Sequence, residues 1–315
     1  MSVRHDGVPA PLKDGPDTLF QPVCVWDLRA ELGEGPIWIE ADKSFYFVDI
    51  LGRMVHRYDP AKGRSASWAA PSRPCFLTPT TEGSLLCGLE DGLYRFDPAT
   101  GRFSLALSVE RDQPGNRIND GHVDSYGRLW FGTMNDAETA ASGSLYSIGG
   151  RLDAGLRHHH DGYTVSNGPA VSPDGRTLYH CDSALGIIYA FDLSPEGGLS
   201  GRRVFRHFAD GAPDGLAMDS AGVLWVGIWG GGRIERLTPE GERLEPIVIP
   251  ARNVTKVAFG GPDFRTVFVT TARKGLADDV LRSEPQTGGL FAFRVDVAGV
   301  PPRAMSLSDA ATLEA

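Results

Sequence analysis

The chain has 315 residues, 41% of them hydrophobic and 23% charged, and 31 basic against 40 acidic side chains leave a formal charge of −9. A chain of this size buries roughly three quarters of its unfolded surface, so it needs neither a disulfide framework nor a structural metal merely to fold. No stretch approaches about 20 uninterrupted apolar residues, which excludes a membrane-spanning helix, and an acidic balance without a Lys/Arg run argues against nucleic acid or an anionic membrane as partner.

Met1 to Phe20 mixes Asp, Gly, Pro and Lys with no apolar segment. It reads as a flexible arm rather than a secretory signal, which implies a cytoplasmic protein. Cys24, Cys75, Cys87 and Cys181 are too far apart for a C-x-x-C pair; buried, reduced and structural thiols are expected. Along the whole chain, 39 Gly and 22 Pro punctuate short apolar runs, the pattern of strands separated by tight turns.

One strand recurs along the chain: Phe45-Tyr46-Phe47-Val48, Leu85-Leu86-Cys87-Gly88, Leu129-Trp130-Phe131-Gly132, Leu178-Tyr179-His180-Cys181, Leu224-Trp225-Val226-Gly227 and Val267-Phe268-Val269-Thr270. Successive starts lie 40, 44, 49, 46 and 43 residues apart, which is the period of a propeller blade. Polar turns such as Asp124-Ser125-Tyr126-Gly127-Arg128 precede several copies, and Asp-Pro or a near equivalent closes a later strand of the unit. Each unit therefore reads as a four-stranded sheet that must pack radially against its neighbours.

The expected fold is all-β, one six-bladed β-propeller of four-stranded antiparallel blades over residues 21–300. Val23 to Leu28 would join the last blade and close the ring, and 301–315 would form a tail. A two-domain β-sandwich and a WD40 scaffold are the rivals. Trp26-Asp27 and Gly121-His122 occur once each without the repeat period, which disfavours the second.

Ten or eleven residues ahead of each recurring strand stand Glu34, Cys75, Asn119, Asn167, Asp214 and Lys256. The same phase in each blade places all six near one end of the central channel. Four of them offer oxygen donors, and Gly follows three of those four directly, permitting a tight turn and close backbone approach. Carboxylates brought together without a counter-charge repel, and burial pushes a pKa upward. A divalent cation removes that penalty. Carboxylate and amide oxygens make a hard site suited to Ca²⁺, Mg²⁺ or Mn²⁺ and compatible with Zn²⁺ or Fe²⁺.

The chain also resembles the family of regucalcin (senescence marker protein), gluconolactonase and luciferin-regenerating enzyme, and within it bacterial sugar lactonases such as xylonolactonase. The resemblance runs from about Val23 to Val297. It is carried by Leu32-Gly33-Glu34-Gly35-Pro36, Tyr46-Phe47-Val48-Asp49-Ile50, Arg117-Ile118-Asn119-Asp120-Gly121, Gly127-Arg128-Leu129-Trp130-Phe131-Gly132-Thr133-Met134, Ser166-Asn167-Gly168-Pro169, Pro213-Asp214-Gly215 and Thr270-Thr271-Ala272-Arg273. The resemblance implies metal ligands at Glu34, Asn167 and Asp214 and substrate-side residues at Arg117 and Asn119. An acidic residue that contacts sugar hydroxyls often follows Gly-Thr-Met in the family. Here Met134 is followed by Asn135-Asp136-Ala137-Glu138, so two acids compete for that place.

The expected activity is divalent-metal-dependent hydrolysis of a sugar lactone such as gluconolactone or xylonolactone, with Asp214 as ligand and nearby base. The chain would act as a monomer or weak homo-oligomer. The alternative is a non-catalytic propeller that binds calcium or a partner protein; an aryl ester or organophosphate hydrolase on the same fold is a third. No Gly-x-Ser-x-Gly elbow supports a covalent route. His158-His159-His160 reads as a solvated segment and Gly230-Gly231-Gly232 as a hairpin turn. Lys256 either faces the channel or has a salt-bridge partner, and Asp120 and His122 flank a site residue.

Overall fold

The computed structural model describes residues 19–307; most of the expected N-terminal arm lies outside them. Six four-stranded antiparallel sheets follow one another around a ring. Blade 1 begins at the inner strand Gly33–Ile39, blade 2 at Pro74–Pro79, blade 3 at Asn116–Val123, blade 4 at Ser166–Val171, blade 5 at Ala212–Met218 and blade 6 at Asn253–Gly260. The outermost strand of blade 6 is Val23–Trp26, which pairs antiparallel with Leu290–Arg294, so the beginning of the described chain closes the ring. Among the described residues the only α-helix is Asp278–Ser283, and no helix is long and apolar enough to cross a membrane.

The recurring apolar strand is the second of each blade. It has no polar face because both faces of the sheet are covered. In Phe45–Val48, Phe45 and Phe47 pack toward blade 6, whereas Tyr46 and Val48 pack toward blade 2. The apolar core is accordingly divided into six clusters, one in each gap between neighbouring blades. Met305 and Leu307, in the segment read as a tail, are buried in the gap between blades 2 and 3. Cys75, Cys87 and Cys181 are buried free thiols, but Cys24 is half-buried because it sits on the outermost strand.

Each polar turn is tied to the strand that follows it in the same blade. The Asp124 carboxylate accepts from the backbone of Tyr126 at 2.8 Å and of Arg128 at 3.0 Å, from Arg128 Nε at 2.7 Å and from Trp130 Nε1 at 2.9 Å. Asp219 does the same in blade 5 with Ala221, Val223 and Trp225. Replacing Asp124 by Ala would strand a buried guanidinium and an indole N–H. The expected loss is about 3 kcal/mol or more of unfolding free energy, measurable by urea denaturation.

Each inner strand carries one extra residue relative to its partner. The register slips between Glu34 and Ile37, Pro74 and Phe76, Ile118 and Gly121, Asn167 and Ala170, Pro213 and Leu216, and Val254 and Val257. A bulge unpairs one residue and re-aims its neighbours. Repeated in six blades at one height, it points six sets of side chains into the channel.

Candidate active site at one mouth of the channel

Glu34, Asn119, Asn167 and Asp214 line a single cavity of about 350 Å³, together with Arg117 from the strand that carries Asn119. All five side chains are buried. Leu32, Ile50, Met134, Val165, Trp229 and Leu276 supply its apolar wall. Cys75, the blade 2 member of the ring, is not among the lining residues; its thiol donates to Ile118 O at 3.0 Å and burial pushes its pKa up to about 11. It packs rather than ligates.

Two glycines next to these residues have different duties. Gly35 has φ +54° and its missing Cβ would stand 2.8 Å from Cys75 O, so it supplies both the left-handed turn and the clearance that bring Glu34 inward. Gly215 has no positive φ; a Cβ there would meet the Lys256 stem at 2.3 Å.

A chain of hydrogen bonds fixes the amides. Arg117 Nε donates to Asp136 Oδ1 at 3.0 Å and Arg117 Nη1 to Asn119 Oδ1 at 2.6 Å. Asn119 Nδ2 donates to Ser166 O and to Asn167 Oδ1, each at 2.7 Å. Asn167 Nδ2 then donates to Ser183 Oγ at 2.9 Å, and Ser183 Oγ to Pro213 O at 2.6 Å. The Asn119 amide is thus occupied by protein partners on both sides, and it orients Asn167. Among the described residues nothing accepts from Arg117 Nη2, whereas Nε and Nη1 are both engaged.

The two acids after Met134 divide. Asp136 positions Arg117, with Arg73 Nη1 at 2.9 Å as a second partner. Glu138 lines the cavity and pairs with Lys274 Nζ at 2.5 Å across the mouth, from blade 3 to the opposite blade 6. Ser183, Trp229, Asn253 and Lys274 carry no signal in the sequence. The last three belong to the ends of blades 5 and 6 that frame the mouth.

The carboxylates are short of partners. Glu34 Oε2 accepts from the Gly35 N–H at 2.9 Å, and among the described residues nothing donates to Asp214. Burial, then the Glu34 and Asp120 charges, push the Asp214 carboxyl well above its ordinary range. Burial and the Asp120 charge likewise raise Glu34, against the opposing pull of Lys256. Among the described residues no three His, Cys, Asp or Glu side chains cluster in metal-binding fashion. The donor set is instead two carboxylates and an amide oxygen, partly unpaired and in want of positive charge, which fits a hard divalent cation.

Comparison with known proteins agrees with this architecture. The chain is 36% identical over 282 residues to 6-deoxy-6-sulfogluconolactonase of Pseudomonas putida, covering 88% of this chain and 95% of that protein. It is 34% identical over 291 residues to regucalcin of Gallus gallus, covering 89% and 96%. A crystal structure of a calcium-binding regucalcin from Agrobacterium tumefaciens superposes with a TM-score of 0.85 at 31% identity, covering 89% of this chain and 96% of that one. Residues 32–273 match the SMP-30/gluconolactonase/LRE-like region, and the chain belongs to that family.

Proposed function

We propose that the protein hydrolyses sugar lactones to the corresponding aldonic acids with a divalent cation held by Glu34, Asn167 and Asp214. The observation that carries this reading is the pair of buried, under-partnered carboxylates facing one cavity with Arg117. The kinship with 6-deoxy-6-sulfogluconolactonase and with L-arabinolactonase of Azospirillum brasilense, 33% identical over 288 residues, supports the substrate class.

When bound, the cation would polarise the lactone carbonyl and acidify a water. Asp214 accepts a proton from the attacking water on a free carboxylate oxygen and aims that water at the carbonyl carbon. Arg117, held from behind by Asp136, donates through Nη2 to the carbonyl or ring oxygen as charge develops there. Asn119 keeps the Asn167 oxygen turned inward. Glu138 accepts from substrate hydroxyls at the mouth, and the apolar wall with Trp229 limits water in the cavity.

Ring opening releases a proton, so pH-stat assay of gluconolactone, xylonolactone and galactonolactone reads the reaction directly. The expected result is acid release that ceases after chelation and returns with one of Ca²⁺, Mn²⁺, Mg²⁺, Zn²⁺ or Fe²⁺. Full activity in stripped protein refutes the cation. Cation binding without turnover of any lactone favours the non-catalytic calcium-binding propeller.

A further inference from the structure

Beneath the carboxylates the channel is crossed by an ion pair that the proposed reaction does not use. Lys256 leaves the bulge of the blade 6 inner strand and runs along Gly215. It places Nζ 2.5 Å from Asp120 Oδ1 and 2.7 Å from Asp120 Oδ2. Asp120 comes from the bulge of the inner strand of blade 3, on the opposite side of the ring. Both residues are buried, with relative exposures of 7% and 2%.

The pair forms a floor. Glu34, Asn119 and Asp214 face the cavity above it, while Gly35, Gly121, Leu216 and Lys256 line a separate cavity of about 100 Å³ toward the other end of the channel. The lower cavity is reached by stepping one or two residues along the same bulges. The pair therefore divides the tunnel into an upper and a lower chamber.

Charge counting gives the floor a second duty. Glu34, Asp120 and Asp214 bring three carboxylates within electrostatic reach of one another, and Lys256 is the ammonium that acts on all three. Arg117 and Lys274 also act on Glu34 and Asp214, but each is matched by an acid of its own, Asp136 and Glu138. With those pairs set aside, three negative charges and one positive leave two, the charge of one divalent cation. An anion left unpaired in a low-dielectric interior acts strongly on its neighbours.

We infer that the Lys256–Asp120 strut is a positioning element that matches the charge of the ring to a single divalent cation, Lys256 cancelling Asp120 so that Glu34 and Asp214 alone face the ion. This rests on the cation reading above, and the two can fail separately. A merely structural strut predicts that losing either partner loosens the site and weakens cation binding. A charge-matching strut predicts opposite signs.

The test is calorimetric titration of chelator-stripped full-length protein with Mn²⁺ and with Ca²⁺. Asp120→Asn leaves Lys256 uncompensated and should weaken binding by about tenfold or more. Lys256→Met leaves Asp120 uncompensated and should tighten it by about tenfold or more, with a lower melting temperature in the absence of cation. The Asp120→Asn/Lys256→Met double variant should return to within about threefold of the parent. Single variants that shift affinity in the same direction, or not at all, overturn the inference while leaving the cation site standing. A parent protein that binds neither ion overturns both. Should Lys256→Met fail to fold, the near-isosteric Asp120→Asn decides by its sign. Should neither single variant fold, the neutral double variant decides: binding within threefold of the parent supports the inference, and a tenfold departure overturns it.

Discussion

Asp214→Asn is expected to lower lactone turnover by about 10²-fold or more and, in the same preparation, to raise the melting temperature of cation-stripped protein. The first effect follows because an amide keeps the shape of the carboxylate but cannot accept the proton of the attacking water. The second follows from the electrostatics. Burial and the neighbouring Glu34 and Asp120 charges raise the Asp214 carboxyl in the native state. A carboxyl whose native pKa lies above its unfolded value binds protons that the unfolded chain has released. Its contribution is favourable below about pH 4 and is lost as pH rises toward the native pKa. At neutral pH the group therefore opposes folding, and removing it should raise the melting temperature of the stripped protein. Glu34→Gln separates the roles. It should also stabilise the stripped protein, but its activity should recover in part at high cation concentration because Asp214 remains to take the proton. An Asp214→Asn variant with parental turnover removes the base, and one with no thermal gain removes the repulsion.

The ring was legible because the feature that builds it repeats. A one-residue bulge in each inner strand leaves a fixed spacing to the apolar strand that follows, so Glu34, Asn167 and Asp214 could be placed together although 180 residues separate the first from the last. The apolar strands themselves were legible because both faces of a blade are covered, which removes the alternation of a half-exposed strand. The residues that complete the site lie where the repeat is broken. The connection after the second strand is two residues in blade 2, Glu90 and Asp91, and runs from Arg273 to Gly289 in blade 6. Lys274 and Leu276 arise from that irregular length and have no counterpart at a fixed phase. Ser183 is missed for another reason: one hydroxyl that bridges Asn167 to Pro213 O has no compositional trace. Lys256 was open between channel and salt bridge, and the fold makes both true, since its partner Asp120 stands across the channel. The pairing depends on blades 3 and 6 being opposite, which only the closed ring supplies.

Acidification from pH 7 to pH 4 should destabilise the cation-loaded protein by several kcal/mol, before the bulk of its salt bridges titrate. Burial holds the His180 imidazole down at about 3 and, with help from the Lys256 charge, holds His122 at about 4. The unfolded chain protonates these rings near pH 6.5, whereas the native state does not. The sign is thus opposite to that of Asp214: the stability is complete above about pH 6.5 and is lost as pH falls toward the native values. Each tenfold loss of proton affinity on folding corresponds to about 1.4 kcal/mol, and His180, with no exposed surface, carries the larger share. Surface carboxylates act in a lower window. Asp263, held down to about 2 by hydrogen bonding to Arg294, loses its contribution only below about pH 4. In stripped protein the raised Glu34 and Asp214 carboxyls gain stability over part of the same interval, so its optimum should move toward pH 5 to 6 while the loaded protein keeps a neutral one. His180→Gln keeps a neutral partner for Ser166 Oγ, which lies 2.9 Å from His180 Nε2, but cannot titrate. The slope of melting temperature against pH between 6.5 and 4 should flatten in that variant, and an unchanged slope would assign the acid sensitivity to groups other than this imidazole.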